Sequence, residues 1–164
     1  MKVMITSLLL ILSFSILGQE VGYVKMQSYK KPIVKAEING KKGYFLIDTG
    51  SDISIINYAH LKKYKLEASK VYGDHKRAMS FNGEKTAAMR VRNVEVVLGD
   101  RFDHKLFYSL NLTEVIRSIE AKTNIKINGI IGTDLLAKYN CMIDYSQRRI
   151  ILVDSRSKHK FATR

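Results

Sequence analysis

The 164-residue sequence contains one cysteine, one proline and no tryptophan. A lone Cys141 excludes an intramolecular disulfide, so the fold must be held by its core or by a partner subunit. In Tyr139-Asn140-Cys141-Met142 it reads as a small buried hydrophobe. Cysteine-rich metal clusters are excluded too, and His60, His75, His104 and His159 show no ligand spacing. No metal or other cofactor is therefore expected. With so little proline and only ten glycines, the chain is neither disordered nor low-complexity. Acid is scarce: 15 Asp and Glu face 28 Lys and Arg, a net charge of +13. Such an excess would suit nucleic acid. The basic residues are scattered, however, and many lie towards the ends (Lys25, Lys30, Lys31, then Arg156, Lys158, Lys160, Arg164), with no aromatic-rich basic motif. No nucleic-acid partner is expected; the charge reads as a solvated surface, attractive to anionic envelope surfaces or acidic substrates.

There is one long apolar run, Val3 to Leu17, behind the basic Lys2 and ahead of the small residue Gly18. This reads as a signal peptide over 1–18, cut before Gln19 or nearby. At about 15 residues the run is short of the roughly 20 needed to span a bilayer, so a retained membrane anchor is not favoured. The protein is expected to be exported, either periplasmic or secreted. Residues 19–31 form an N-terminal extension, 32–153 one folded domain and 154–164 a basic tail.

The periodicity is mostly that of strands. Ile33 to Ile38 alternates, Asn39-Gly40 is a two-residue hairpin signal, and Tyr44 to Ile47 is a return strand apolar enough to be buried on both faces. Ser54 to Ile56 is a short strand, and Asn57 is placed to cap a helix through Tyr64 with Leu61 inward. Asn82-Gly83 marks a second hairpin between Met79–Phe81 and Glu84–Val91. Strands follow at Val94–Leu98 and Phe102–Leu110. Leu112, Val115, Ile116 and Ile119 predict a helix over Thr113–Thr123. Gly129 to Gly132 is a buried strand running into a turn. Thr133 or Asp134 is expected to cap the next helix, and Met142–Tyr145 with Ile150–Val153 to close a hairpin. The sum is a mainly β chain, a closed or nearly closed barrel with two or three short helices.

Within this pattern the segment Phe45-Leu46-Ile47-Asp48-Thr49-Gly50-Ser51 drives an apolar strand into one carboxylate and turns at once. A glycine-tipped hairpin follows, and then Ile130-Ile131-Gly132-Thr133-Asp134-Leu135-Leu136. In this order the motifs resemble the retropepsin-like (retroviral-type) aspartic proteases, and the ending Met142-Ile143-Asp144-Tyr145 looks like bacterial exported members of that family. The resemblance covers about residues 32–153.

It implies a retropepsin-like lobe with Asp48 as the catalytic acid. Thr49 would tie its loop to the same loop of a second protomer. Gly50 would let the backbone approach the carboxylate, and Ser51 would hydrogen-bond it. Phe81, Asn82 and Gly83 would lie at a flap closing over an extended peptide, while Ile131 and Gly132 would support the catalytic loop. One such carboxylate per chain implies a homodimer acting on peptide or protein substrates. Two facing carboxylates cannot both ionise cheaply and would share one proton, so an acid to mildly acid optimum is expected. Asp52 reads as a surface or structural acid. The helical segment between Leu110 and Ile127 is longer than compact viral enzymes carry, and could shape the substrate groove or the dimer contact. The alternative reading is a non-catalytic peptide-binding module on the same fold.

Overall fold

In the computed structural model, which describes residues 22–69, 77–79 and 85–153, Asn39 and Gly40 turn the chain with φ of 48° and 71°. That is the two-residue geometry matching the twist of antiparallel strands. They join β2 (Ile33–Ile38) to β3 (Lys41–Ile47), paired from Ile33↔Leu46 to Ile38↔Lys41. After β4 (Ile55–Asn57) and β5 (Ala68–Ser69) comes a separate hairpin of β6 (Arg77–Met79) and β7 (Lys85–Ala87). Phe81, Asn82 and Gly83, expected at its tip, lie outside the described residues.

The long strands β8 (Met89–Leu98) and β9 (Arg101–Leu110) meet at Gly99-Asp100, where Gly99 has φ of 61°. A bulge between Val91 and Val94 puts Asn93 in the left-handed region, φ 55°. Helix α1 (Thr113–Thr123), β10 (Gly129–Ile131), α2 (Thr133–Lys138), β11 (Cys141–Asp144) and β12 (Arg149–Leu152) complete the order.

Six strands run β2-β3-β10-β4-β9-β8, and pairing of Glu37–Ile38 with Val96–Val97 returns β8 to β2 and closes a barrel. Two neighbour pairs are parallel, β3 with β10 and β4 with β9. Successive side chains point to opposite faces, and in β3 both faces are covered. Phe45 and Ile47 join the barrel interior with Val34, Ile56, Val96 and Phe107. Leu46 joins an outer layer with Ile33, Ile55 and Ile130, roofed by Ile116 and Ile119 of α1. The helix after Leu110 thus covers one wall of the barrel.

The fold departs from expectation in several places. The helix expected after Asn57 is two short 3-10 turns, Tyr58–His60 and Lys62–Tyr64, and Asn57 does not cap them. Its Oδ1 instead accepts the Leu112 N–H at 3.1 Å, a partner 55 positions away. Neither Thr133 nor Asp134 caps α2; Gly132 occupies that position without a side-chain bond. Cys141 is half-buried rather than buried and packs against the core. Last, β1 (Gly22–Lys25), within the expected N-terminal extension, pairs antiparallel with β12, which pairs with β11.

Candidate active site

Asp48 follows β3 directly, and its N–H donates to the Ile131 carbonyl at 3.0 Å. The parallel β3–β10 ladder thus runs up to the acid and fixes where the carboxylate leaves the sheet. The chain then turns sharply. Ser51 N–H donates to Asp48 O at 3.3 Å, and Gly50 N–H donates to the carboxylate oxygen Oδ1 at 2.9 Å. An N–H bond to a carboxylate is charge-assisted and holds that oxygen in place. A Cβ on Gly50 would sit 3.3 Å from the same oxygen, tighter than most such contacts. The Asp48 side chain is half-buried, while Thr49 and Gly50 are exposed.

The Ser51 hydroxyl does not reach Asp48. It donates to the Ile53 carbonyl at 2.7 Å and so stiffens the turn that leads away from the acid. The expected Ser51–Asp48 bond is replaced by this local one, because a two-residue step to a carbonyl is within easier reach. The Thr49 side chain makes no hydrogen bond among the described residues.

Ile131 and Gly132 lie against this loop. Thr133 N–H and Oγ1–H both donate to Ser51 O, at 2.8 and 3.2 Å. A Cβ on Gly132 would come within 2.5 Å of Ile53 O and 2.6 Å of Ser51 O. Only glycine lets β10 pass so close to the loop's backbone.

Beneath them lies a pair that sequence reasoning did not find. The fully buried Ser54 donates from its hydroxyl to Asp134 Oδ1 at 2.6 Å and accepts the Gly132 N–H at 3.1 Å. Asp134 Oδ1 also accepts the Leu135 N–H at 2.9 Å. The signal was a buried hydroxyl at the start of one strand and an acid in the first turn of a helix 80 positions later.

Behind the barrel, Asn128 Oδ1 accepts the Tyr44 N–H at 3.0 Å. Beside it the buried Tyr64 hydroxyl has no hydrogen-bond partner among the described residues, and burial pushes its pKa up to about 12. His60 Nδ1 stands 3.4 Å from the Asn128 carbonyl. Burial is the main force holding its pKa below the usual histidine range; the Asn128 contact opposes this, and Lys63 and Lys126 add to it. Among the described residues, neither group hydrogen-bonds Asp48. No group of three or more His, Cys, Asp or Glu among the described residues could hold a metal ion.

The site is thus one carboxylate at the end of a buried strand, gripped by one amide and backed by a glycine turn, in a closed six-strand barrel. That is the arrangement of an acid-protease lobe. The aspartyl protease family profile matches residues 34–135, and the chain belongs to that family. None of the curated proteins compared matches the sequence. Solved structures similar to it include EIAV protease complexed with the inhibitor HBY-793, 18% identical with a TM-score of 0.49, covering 67% of this chain and 88% of that one. The retroviral protease-like domain of Ddi1 from Leishmania major is 18% identical, TM-score 0.46, over 70% and 81% of the two chains. A retropepsin-like aspartic protease from Rickettsia conorii is 20% identical, TM-score 0.48, over 81% and 90%.

Proposed function

We propose that this protein is an aspartic endopeptidase, exported from the cell and active as a homodimer in which each protomer contributes Asp48. One observation carries the reading: the family's Asp-Thr-Gly occurs once, as Asp48-Thr49-Gly50, on a half-buried carboxylate held by Gly50. A lone carboxylate cannot be base and acid in the same step, so a second copy must supply the other. The exposed Thr49, without a side-chain partner among the described residues, supports a contact at this loop.

In the dimer the ionised Asp48 takes a proton from a water whose oxygen attacks the peptide carbonyl. The protonated Asp48 gives its proton to the carbonyl oxygen. The proton taken from water then passes to the leaving amine as the C–N bond breaks, while a hydroxyl of the gem-diol returns its proton to the second Asp48 as the carboxylic acid forms. Phe81, Asn82 and Gly83 are the residues we assign to a flap over the extended substrate, whose closure would exclude water. Proton sharing by like charges is enough for the acid optimum and needs nothing from Ser51.

The test is a diverse peptide library incubated with wild type and Asp48→Asn across acid to neutral pH. Cleavage by wild type alone, with a profile that falls towards neutral pH, is the expected result. Cleavage by both would assign the activity elsewhere. Cleavage by neither, from a folded dimer that still binds peptide, would make the protein a non-catalytic peptide-binding module.

A further inference from the structure

Five large apolar side chains stand exposed among the described residues, and four gather at one place. Tyr23 (63% exposed) lies on β1 and Met142 (53%) on β11. Tyr145 (62%) begins the β11–β12 turn and Tyr29 (81%) lies between β1 and β2. The fifth, Tyr58, is on a 3-10 turn outside this sheet.

The register explains the clustering. Tyr23 pairs with Ile151 and Ile151 with Met142, so the three form one row across the sheet. Their neighbours Val24, Ile150 and Leu152 point the other way, into the barrel core. The next row on the outer face is Lys25, Arg149 and Asp144. Arg149 is paired with Asp144 at 3.3 Å. No carboxylate among the described residues pairs with Lys25 or Arg148. Arg148 stacks 4.2 Å over Tyr29, and a depression of about 300 Å³ beside it is lined by Lys25, Met26, Gln27, Ser28, Tyr29 and Arg148.

We infer that the outer face of β1–β12–β11 docks on the surface of an anionic lipid bilayer. Tyrosines suit the boundary between acyl chains and headgroups, because each has an apolar ring and a polar tip. The unpaired cations supply the charge for anionic headgroups, and the depression offers a hydroxyl, an amide and two cations to a phosphate. The chain's net charge of +13 adds long-range attraction. A second copy fits the face less well. A two-fold contact would gather the Lys25 and Arg148 cations of both copies into one interface, and like charges brought together there repel.

The experiment is hydroxyl-radical labelling of the chain from Gln19 with phosphatidylcholine vesicles and with vesicles that also contain phosphatidylglycerol. Tyr23, Tyr29, Met142 and Tyr145 are expected to be protected only by the anionic vesicles, with Tyr58 unprotected as the internal control. Salt should reverse the protection, and Lys25→Ala and Arg148→Ala should each weaken binding about fivefold. Equal protection by both vesicles, or none on this face, overturns the inference. Protection that rises with protein concentration in the absence of vesicles also overturns it, and makes the face a contact between copies.

Discussion

The hydroxyl of Ser54 lies 2.6 Å from the carboxylate of Asp134, joining the strand that leaves the Asp48 loop to the helix behind it. The same hydroxyl takes the Gly132 N–H, so a single buried oxygen serves both halves of the cradle. Ser54→Ala should strand the buried Gly132 N–H and take a donor from the half-buried Asp134 carboxylate, costing about 1–3 kcal/mol. Asp134→Asn keeps an acceptor and should cost less than Asp134→Ala. Urea midpoints of the three variants check the order.

Gly132→Ala should be more damaging, because the added methyl meets the backbone of Ser51 and Ile53 rather than a side chain that can turn away. Peptidase activity is expected to fall more than tenfold, as even small displacements of a reacting group are costly. Steady-state kinetics on purified protein is the measurement. Wild-type activity in the variant would mean that the loop position does not depend on this contact.

The Tyr64 hydroxyl and Gly43 make a coupled pair. A Cβ at Gly43 would collide with that hydroxyl and approach Asn128 Oδ1 to 2.6 Å. Gly43→Ala should therefore cost about 2 kcal/mol or more by overpacking. Tyr64→Phe removes a buried hydroxyl that has no partner among the described residues and should be neutral or stabilising. The double variant should recover part of the Gly43→Ala loss; additive losses in a double-mutant cycle would refute the coupling.

His60 gives the fold a pH dependence of definite sign. Its folded pKa is held down, chiefly by burial, so below about pH 6.5 the unfolded chain binds a proton that the folded chain resists. Stability should fall as pH drops through that value towards the folded pKa, and gain nothing from this group above it. Denaturation midpoints of wild type and His60→Gln at about pH 7.5 and about pH 5 should show the larger acid loss in the wild type. The loss runs against the acid optimum proposed for the dyad.

Much of this fold was legible in the sequence where local chemistry decides. Asn39-Gly40 announced its turn because two consecutive positive φ angles suit few other residues. Phe45-Leu46-Ile47 read as buried on both faces because nothing in it can face water, and it leads straight to Asp48. What failed were features settled by distant partners. Asn57 looked like a cap, but its carboxamide was claimed by Leu112. Asp134 also looked like a cap, while Ser54, far away in sequence, determines where its carboxylate lies. Strand β1 has one buried apolar residue, Val24, and owes its place to β12. The Ser51 role came with the family resemblance, and the local geometry sent its hydroxyl to Ile53 instead.

Gly22 pairs with Leu152, 130 positions later. During synthesis the first strand of the described fold must therefore wait for the last. Closing so long a loop gains nothing until the barrel between them has drawn the ends together. A chain stopped short of β12 could assemble the Asp48 loop and its cradle, yet would leave Tyr23 and Val24 with nothing to pair against. The sheet of β1, β12 and β11 is thus the last part of the described fold to close.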